Sequence, residues 1–109
     1  MENRRASKIF EALSSDVRLD VFRLLVKNAP DGLVAGDIAW LLYIPATNLS
    51  FHLKALVQSK LVTVEREGRY MRYKASISLM LDTIAYLTSK CCRKFREESD
   101  VDLRFLPVR

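Results

Sequence analysis

The chain is poor in the residues that staple or ligate. Its 109 residues include two cysteines, one histidine, three glycines and three prolines. The cysteines, Cys91 and Cys92, are adjacent, so they cannot tie distant parts of a fold together, and a disulfide framework is excluded. The lone histidine, His52, has no other ligand-type cluster before it, which argues against a metal site there. It also leaves a cysteine nucleophile without a nearby base, so an enzyme is not expected. No apolar run approaches the ~20 residues that a membrane helix needs. The charged start, Met1-Glu2-Asn3-Arg4-Arg5, is not followed by the apolar stretch of a signal peptide. The expected location is the cytoplasm, with no membrane partner and with thiols kept reduced.

What is present is a hydrophobic half and an excess of cations. Hydrophobic residues make up 50% of the chain, and the formal net charge is +5. Such a chain can bury one modest core. Its charge favours a polyanionic partner, nucleic acid before membrane.

One stretch organises the rest: Ile44-Pro45-Ala46-Thr47-Asn48-Leu49-Ser50-Phe51-His52-Leu53-Lys54-Ala55-Leu56. Pro45 stops the preceding helix, because its ring disfavours helical geometry at Ile44 and removes a backbone donor. The helix that follows has an inner stripe at Leu49, Leu53 and Leu56, spaced i, i+4, i+7. Away from that stripe it carries Thr47, Asn48, Ser50 and Lys54, short hydrogen-bonding groups and a cation that can reach base edges in a DNA major groove.

The segments before it read as support. Ile9, Phe10 and Leu13 give a short apolar helical stripe over about 6–13. Ser14-Ser15-Asp16 offers caps for a helix over about 17–27, whose two stripes, Val17, Val21, Leu24, Leu25 and Leu19, Phe22, Val26, place it at the centre of the core. Asn28-Ala29-Pro30-Asp31-Gly32 is a turn. Residues 36–42 form a short helix with Ile38, Leu41 and Leu42 inward. With the stretch after Pro45 this makes a helix-turn-helix.

The segments after it read as a wing and a seam. Leu61-Val62-Thr63-Val64-Glu65-Arg66-Glu67 alternates and is rich in β-branched residues. Gly68-Arg69 is a two-residue link suited to a tight hairpin, and Tyr70–Ala75 returns. Arg66, Arg69 and Arg72 on this hairpin would contact phosphates or the minor groove. A last helix over roughly 77–95 repeats Ile77, Met80, Leu81, Ile84, Leu87, Cys91 and Phe95 at three and four residues. A second copy would bury that seam, together with Ile9, Phe10 and Leu13 of the first helix. The fold class is thus mostly α with a β-hairpin wing (α+β): a winged helix-turn-helix, homodimeric through its first and last helices. Residues 1–95 form the domain and 96–109 a tail.

With these elements in order, the chain resembles the ArsR/SmtB family of winged-helix metalloregulatory repressors. Asp16-Val17-Arg18-Leu19-Asp20-Val21-Phe22-Arg23-Leu24-Leu25 looks like the family's second helix. Leu49-Ser50-Phe51-His52-Leu53-Lys54-Ala55-Leu56 looks like its Ser-x-His-Leu-x-x-Leu recognition helix, and 61–73 like its wing. The resemblance implies a homodimer that sits on double-stranded operator DNA and leaves when an effector binds. It also implies a structural or DNA-proximal role for His52 on the recognition helix, so that His52 joins the DNA-binding set with Phe51.

Two of the family's metal positions are missing here. The box matching Val34-Ala35-Gly36-Asp37-Ile38-Ala39 holds no thiol, and the last helix offers Asp82 but no histidine, so no zinc sensor and no constitutive cofactor are expected. What remains is Cys91-Cys92, similar in place to the adjacent pair of arsenic-responsive members but lacking their third cysteine. Soft trivalent arsenic prefers thiolates. Methylarsenite has two exchangeable ligands and arsenite three, so a two-thiol site matches the former by count. Lys90, Arg93, Lys94 and Arg96 favour the thiolate form. The expected function is a repressor released from its operator by a small trivalent arsenical, methylarsenite or arsenite. The alternative is a repressor of the same fold that senses oxidants or persulfide through the same thiols.

Overall fold

A computed structural model describes residues 1–89. Five helices and three strands follow one another among them: α1 (Asn3–Ala12), α2 (Asp16–Lys27), β1 (Leu33–Val34), α3 (Ala35–Leu42), α4 (Ala46–Gln58), β2 (Val62–Glu67), β3 (Tyr70–Ala75) and α5 (Ile77–Leu87). The winged helix-turn-helix expected from the sequence is the fold observed.

The core is built where helical stripes converge. Val21, Phe22 and Leu25 of α2, Ile38 of α3, and Leu49, Leu53 and Leu56 of α4 are buried in one cluster, closed by Ile9 and Ala12 of α1 and by Leu61 and Val62 at the start of β2. Ser15 caps α2 by accepting from the Arg18 amide at 3.4 Å, the role expected of a serine there. The Arg18 Nε in turn donates to the Ala12 carbonyl at 2.7 Å, joining the end of α1 to the start of α2.

Several expectations need correction. Helix α1 begins at Asn3 rather than near Ala6, and the Tyr86 hydroxyl donates to the Asn3 side chain, anchoring that start on α5. Ile9, assigned to a dimer seam, is only 1% exposed and belongs to the core of its own chain; the neighbouring Phe10 faces out. Leu41, expected inward, is half exposed, while Ile38 is buried and Leu42 packs partly buried against the core. Leu19 and Val26 likewise leave part of α2 uncovered.

Strand β1 had no signal in the sequence, since two residues cannot display a period. It pairs antiparallel with β3 through Leu33–Tyr73 and Val34–Arg72, so β3 is the middle strand of a three-stranded sheet ordered β1-β3-β2. The β2–β3 hairpin runs in register from Val62–Ala75 to Glu67–Tyr70. Gly68 takes φ +62°, the positive angle that a two-residue link with glycine first demands. Gly32, at φ +73°, is held against β3: a Cβ there would collide with the Tyr73 carbonyl oxygen.

Helix α5 ends at Leu87, short of the expected 95. The Thr88 hydroxyl donates back to the Ile84 carbonyl and the Ser89 hydroxyl to Tyr86, each at 2.8 Å, closing the last turn with side chains that compete for helix carbonyls. The remainder of the expected helix, Cys91, Cys92 and the tail 96–109 lie outside the described residues. Among the described residues, no helix is long and apolar enough to cross a membrane.

Candidate nucleic-acid interface

The approach to α4 is a tight corner. Tyr43 ends α3 in the left-handed region, at φ 54° and ψ 43°, and the Ile44 amide donates to the Ala39 carbonyl at 3.1 Å. Pro45 then sits immediately before the helix at φ −56°, its carbonyl accepting from the Leu49 amide at 2.9 Å. The fixed ring angle of proline is ready-made for this position, and its missing N–H costs nothing there.

Leu49, Leu53 and Leu56 are buried, which turns the rest of α4 outward. At ~100° per residue, the line opposite the buried stripe is Thr47, Phe51 and Lys54, with the same i, i+4, i+7 spacing. Asn48 and Ser50 flank it, and all five are exposed. His52 is set differently. Its ring is half-buried, and Nδ1 is enclosed with no hydrogen-bond partner among the described residues, so one edge of the imidazole is turned into the protein. The Phe51 and His52 rings meet edge to face, 6.2 Å between centroids at 87°.

The three wing arginines have separate fates. Arg69, at the hairpin tip, is exposed, and no hydrogen bond or ion pair engages it among the described residues. Arg66 donates from Nε to the Gly68 carbonyl at 3.1 Å, bracing the turn while keeping its charge at the tip. Arg72 is engaged within its own chain. Its Nε lies 2.8 Å from Glu67 Oε2, and its Nη1 donates to the carbonyls of Gly32 at 3.2 Å and Asp31 at 3.4 Å. A guanidinium engaged with three acceptors of its own chain braces the wing. Lys74 and Glu65 form a second cross-strand pair at 3.2 Å.

Sequence reasoning did not single out the aromatic rim of this corner. Trp40 and Tyr43, three residues apart at the end of α3, are 75% and 89% exposed. The signal available was a tryptophan lying off the helix's expected inward stripe of Ile38, Leu41 and Leu42.

On the far side, α5 is amphipathic in an inverted sense. It buries Thr83, 1% exposed, whose hydroxyl donates to the Leu79 carbonyl at 2.7 Å. It leaves Leu81, Ile84 and Leu87 uncovered, the last 61% exposed. Ile77 is also exposed, while Met80 and Leu13 are half-buried against the core. The candidate seam therefore comprises Phe10, Leu13, Ile77, Leu81, Ile84 and Leu87, with Met80 at its edge.

Helix pair, corner and wing together define the class: a winged helix-turn-helix. Residues 13–65 match a family model described as a helix-turn-helix domain. Among curated proteins, the chain is 33% identical over 87 residues to the uncharacterized HTH-type transcriptional regulator YdfF of Bacillus subtilis strain 168, a match covering 78% of this chain and 37% of that protein. The chain thus spans little more than a third of that relative's length. Among solved structures, an ArsR-like transcriptional regulator from Rhodococcus sp. RHA1 superposes with a TM-score of 0.71 at 21% identity, over 97% of this chain and 96% of its own. The homodimeric winged helix-turn-helix DNA-binding domain of Mb0332 from Mycobacterium bovis, a possible ArsR-family regulator, gives 0.63 at 22% identity, over 81% and 82%. The fold is that of these ArsR-like winged helices.

Proposed function

We propose that this chain is a homodimeric transcriptional repressor that reads duplex DNA with α4 and is released by a small trivalent arsenical at Cys91 and Cys92. One observation carries the DNA part: the outward line of α4, Thr47, Phe51 and Lys54 with Asn48 and Ser50 beside it, is exposed and is followed by a hairpin whose Arg69 is unengaged among the described residues. A helix with short polar side chains suits base edges in the major groove, and a cationic hairpin tip suits the neighbouring phosphates. The similar mycobacterial structure is a homodimeric DNA-binding domain, which supports the same reading.

Dimerisation rests on α5. A helix that packs Leu79 and Met80 against the core and exposes Leu81, Ile84 and Leu87 has an apolar stripe facing away from its own core, and a second copy related by two-fold symmetry would cover it. Two recognition helices are then held at a fixed spacing, as paired half-sites require.

The effector part rests on ligand counting. Two thiols exchanging with methylarsenite form two As–S bonds, break two As–O bonds and release two waters, and the As–C bond stays intact. Thiolates are the ligands that soft trivalent arsenic selects. The thiols follow α5 closely in sequence, so binding there would act on the helix that sets the dimer. The test is a gel shift on a duplex that the protein binds, titrated with methylarsenite, arsenite and peroxide. Release by methylarsenite at the lowest concentration, lost in either Cys91→Ser or Cys92→Ser, supports the reading. Release by peroxide with both arsenicals inert transfers the site to the redox alternative. Release of the double serine variant by an arsenical rejects the thiol site.

A further inference from the structure

Among the described residues, Phe51 takes no part in the core. It lies opposite the buried Leu49–Leu53–Leu56 stripe of α4 and is 72% exposed, on the centre line of a face whose other members are Thr47 and Lys54. Solubility would place a charged or amide group there. Nor is the ring a loose surface side chain, since the half-buried His52 meets it edge to face at 6.2 Å between centroids, an arrangement within the range aromatic pairs favour. A braced aromatic at the middle of an otherwise polar face implies an apolar group on the surface it meets.

Among the base edges that line the major groove, only thymine presents such a group, its 5-methyl. We infer that Phe51 is a specificity residue that reads a thymine methyl in each half-site, between the base pairs addressed by Asn48 and by Ser50. The inference rests on the DNA-binding reading of α4. It adds a requirement that hydrogen bonding alone does not impose: the preferred base is set by a methyl group, which leaves Watson–Crick pairing untouched.

The experiment selects a duplex from a random-sequence pool with the full chain, then replaces each thymine of the selected duplex singly by deoxyuridine. Uracil pairs as thymine does and lacks only the methyl. Burying one methyl is worth about 0.8 kcal/mol, so its loss is expected to weaken binding roughly fourfold at one thymine per half-site, with little change elsewhere. Cytosine at that position is expected to bind worse than 5-methylcytosine. Phe51→Ala is expected to bind the thymine and uracil duplexes alike, with an unchanged thermal midpoint because the ring is outside the core. Phe51→Leu is expected to retain part of the discrimination. If the protein selects and binds a duplex but is indifferent to every uracil replacement, or if Phe51→Ala still discriminates, the inference is overturned while DNA binding stands. If no duplex emerges from the pool, the DNA-binding reading itself is overturned.

Discussion

Arg72 and Gly32 are forty residues apart in sequence, and the guanidinium Nη1 of the first donates to the carbonyl of the second at 3.2 Å. The bond joins the middle strand of the sheet to the turn that follows α2, so the wing is held to the helical body at its base rather than hanging from the ends of β2 and β3 alone. Glu67 completes the brace at 2.8 Å on Nε. As an exposed pair it adds at most about 1 kcal/mol by itself, and the carbonyl bonds supply the geometry.

Arginine and lysine therefore separate bracing from charge. Arg72→Lys keeps the charge but loses the planar fork that reaches several acceptors at once. It is expected to lower stability by about 1 kcal/mol, nearly as much as Arg72→Ala, and to speed amide exchange in β1. Thermal melting and hydrogen exchange check this. Full recovery by lysine would return Arg72 to the set of simple charge contacts.

Arg69, by contrast, should act through the salt dependence of binding. Each phosphate neutralised contributes a log–log slope of about −0.9. Arg69→Ala is expected to weaken binding to all duplexes alike and to flatten the slope by roughly one unit. A slope unchanged in a salt titration would mean that the wing tip does not meet phosphate.

Gly32→Ala is expected to be costly for two independent reasons. The position has φ +73°, which side-chain-bearing residues rarely adopt, and the added Cβ would strike the Tyr73 carbonyl oxygen and come within 2.7 Å of Lys74 Cγ. Backbone strain of this kind costs ~1–3 kcal/mol, and the collision adds to it by pushing β1 off β3. A denaturant melt within experimental error of the parent would refute the close approach.

Lys60 offers the opposite sign. It follows the α4 cap Ser59 at φ 70°, the position where helices favour glycine. Its amide already donates to the Val57 carbonyl at 3.0 Å, so the turn geometry is in place. Lys60→Gly is expected to raise stability by about 0.5–1 kcal/mol, read as a higher thermal midpoint.

Ile84→Asp tests the seam. Ile84 is 41% exposed in the single chain, so the substitution should leave the fold standing. In a dimer it would bury an unpartnered carboxylate, at a cost of several kcal/mol. Sedimentation is expected to show folded monomers, and binding to paired half-sites to fall with them. A dimer that survives would put the interface elsewhere.

Much of this molecule was legible before its structure was known. The inner stripe of α4, the Pro45 boundary before it and the Gly68-Arg69 link all follow from rules acting over a few residues: 3.6-residue periodicity, the fixed angle of proline, the positive angle of glycine. Those rules need no knowledge of the rest of the chain, and each was found where expected. Phe51 entered the DNA-binding set only through the family resemblance, and the structure is what sets it opposite the buried leucines of α4.

Tertiary structure alone decided the rest. Ile9 and Phe10 look equally apolar in the sequence, and only the packing of α1 into the core cluster buries one and exposes the other. Strand β1 is too short to carry a pattern and exists because β3 offers it a partner. Thr83 is buried and Leu87 is not, which reverses the order their hydrophobicity suggests. Arg72 braces the wing because two carbonyls from a distant turn came within reach of it. In each case the deciding partner lies far away along the chain, and a local periodicity holds no information about which distant groups folding will bring together.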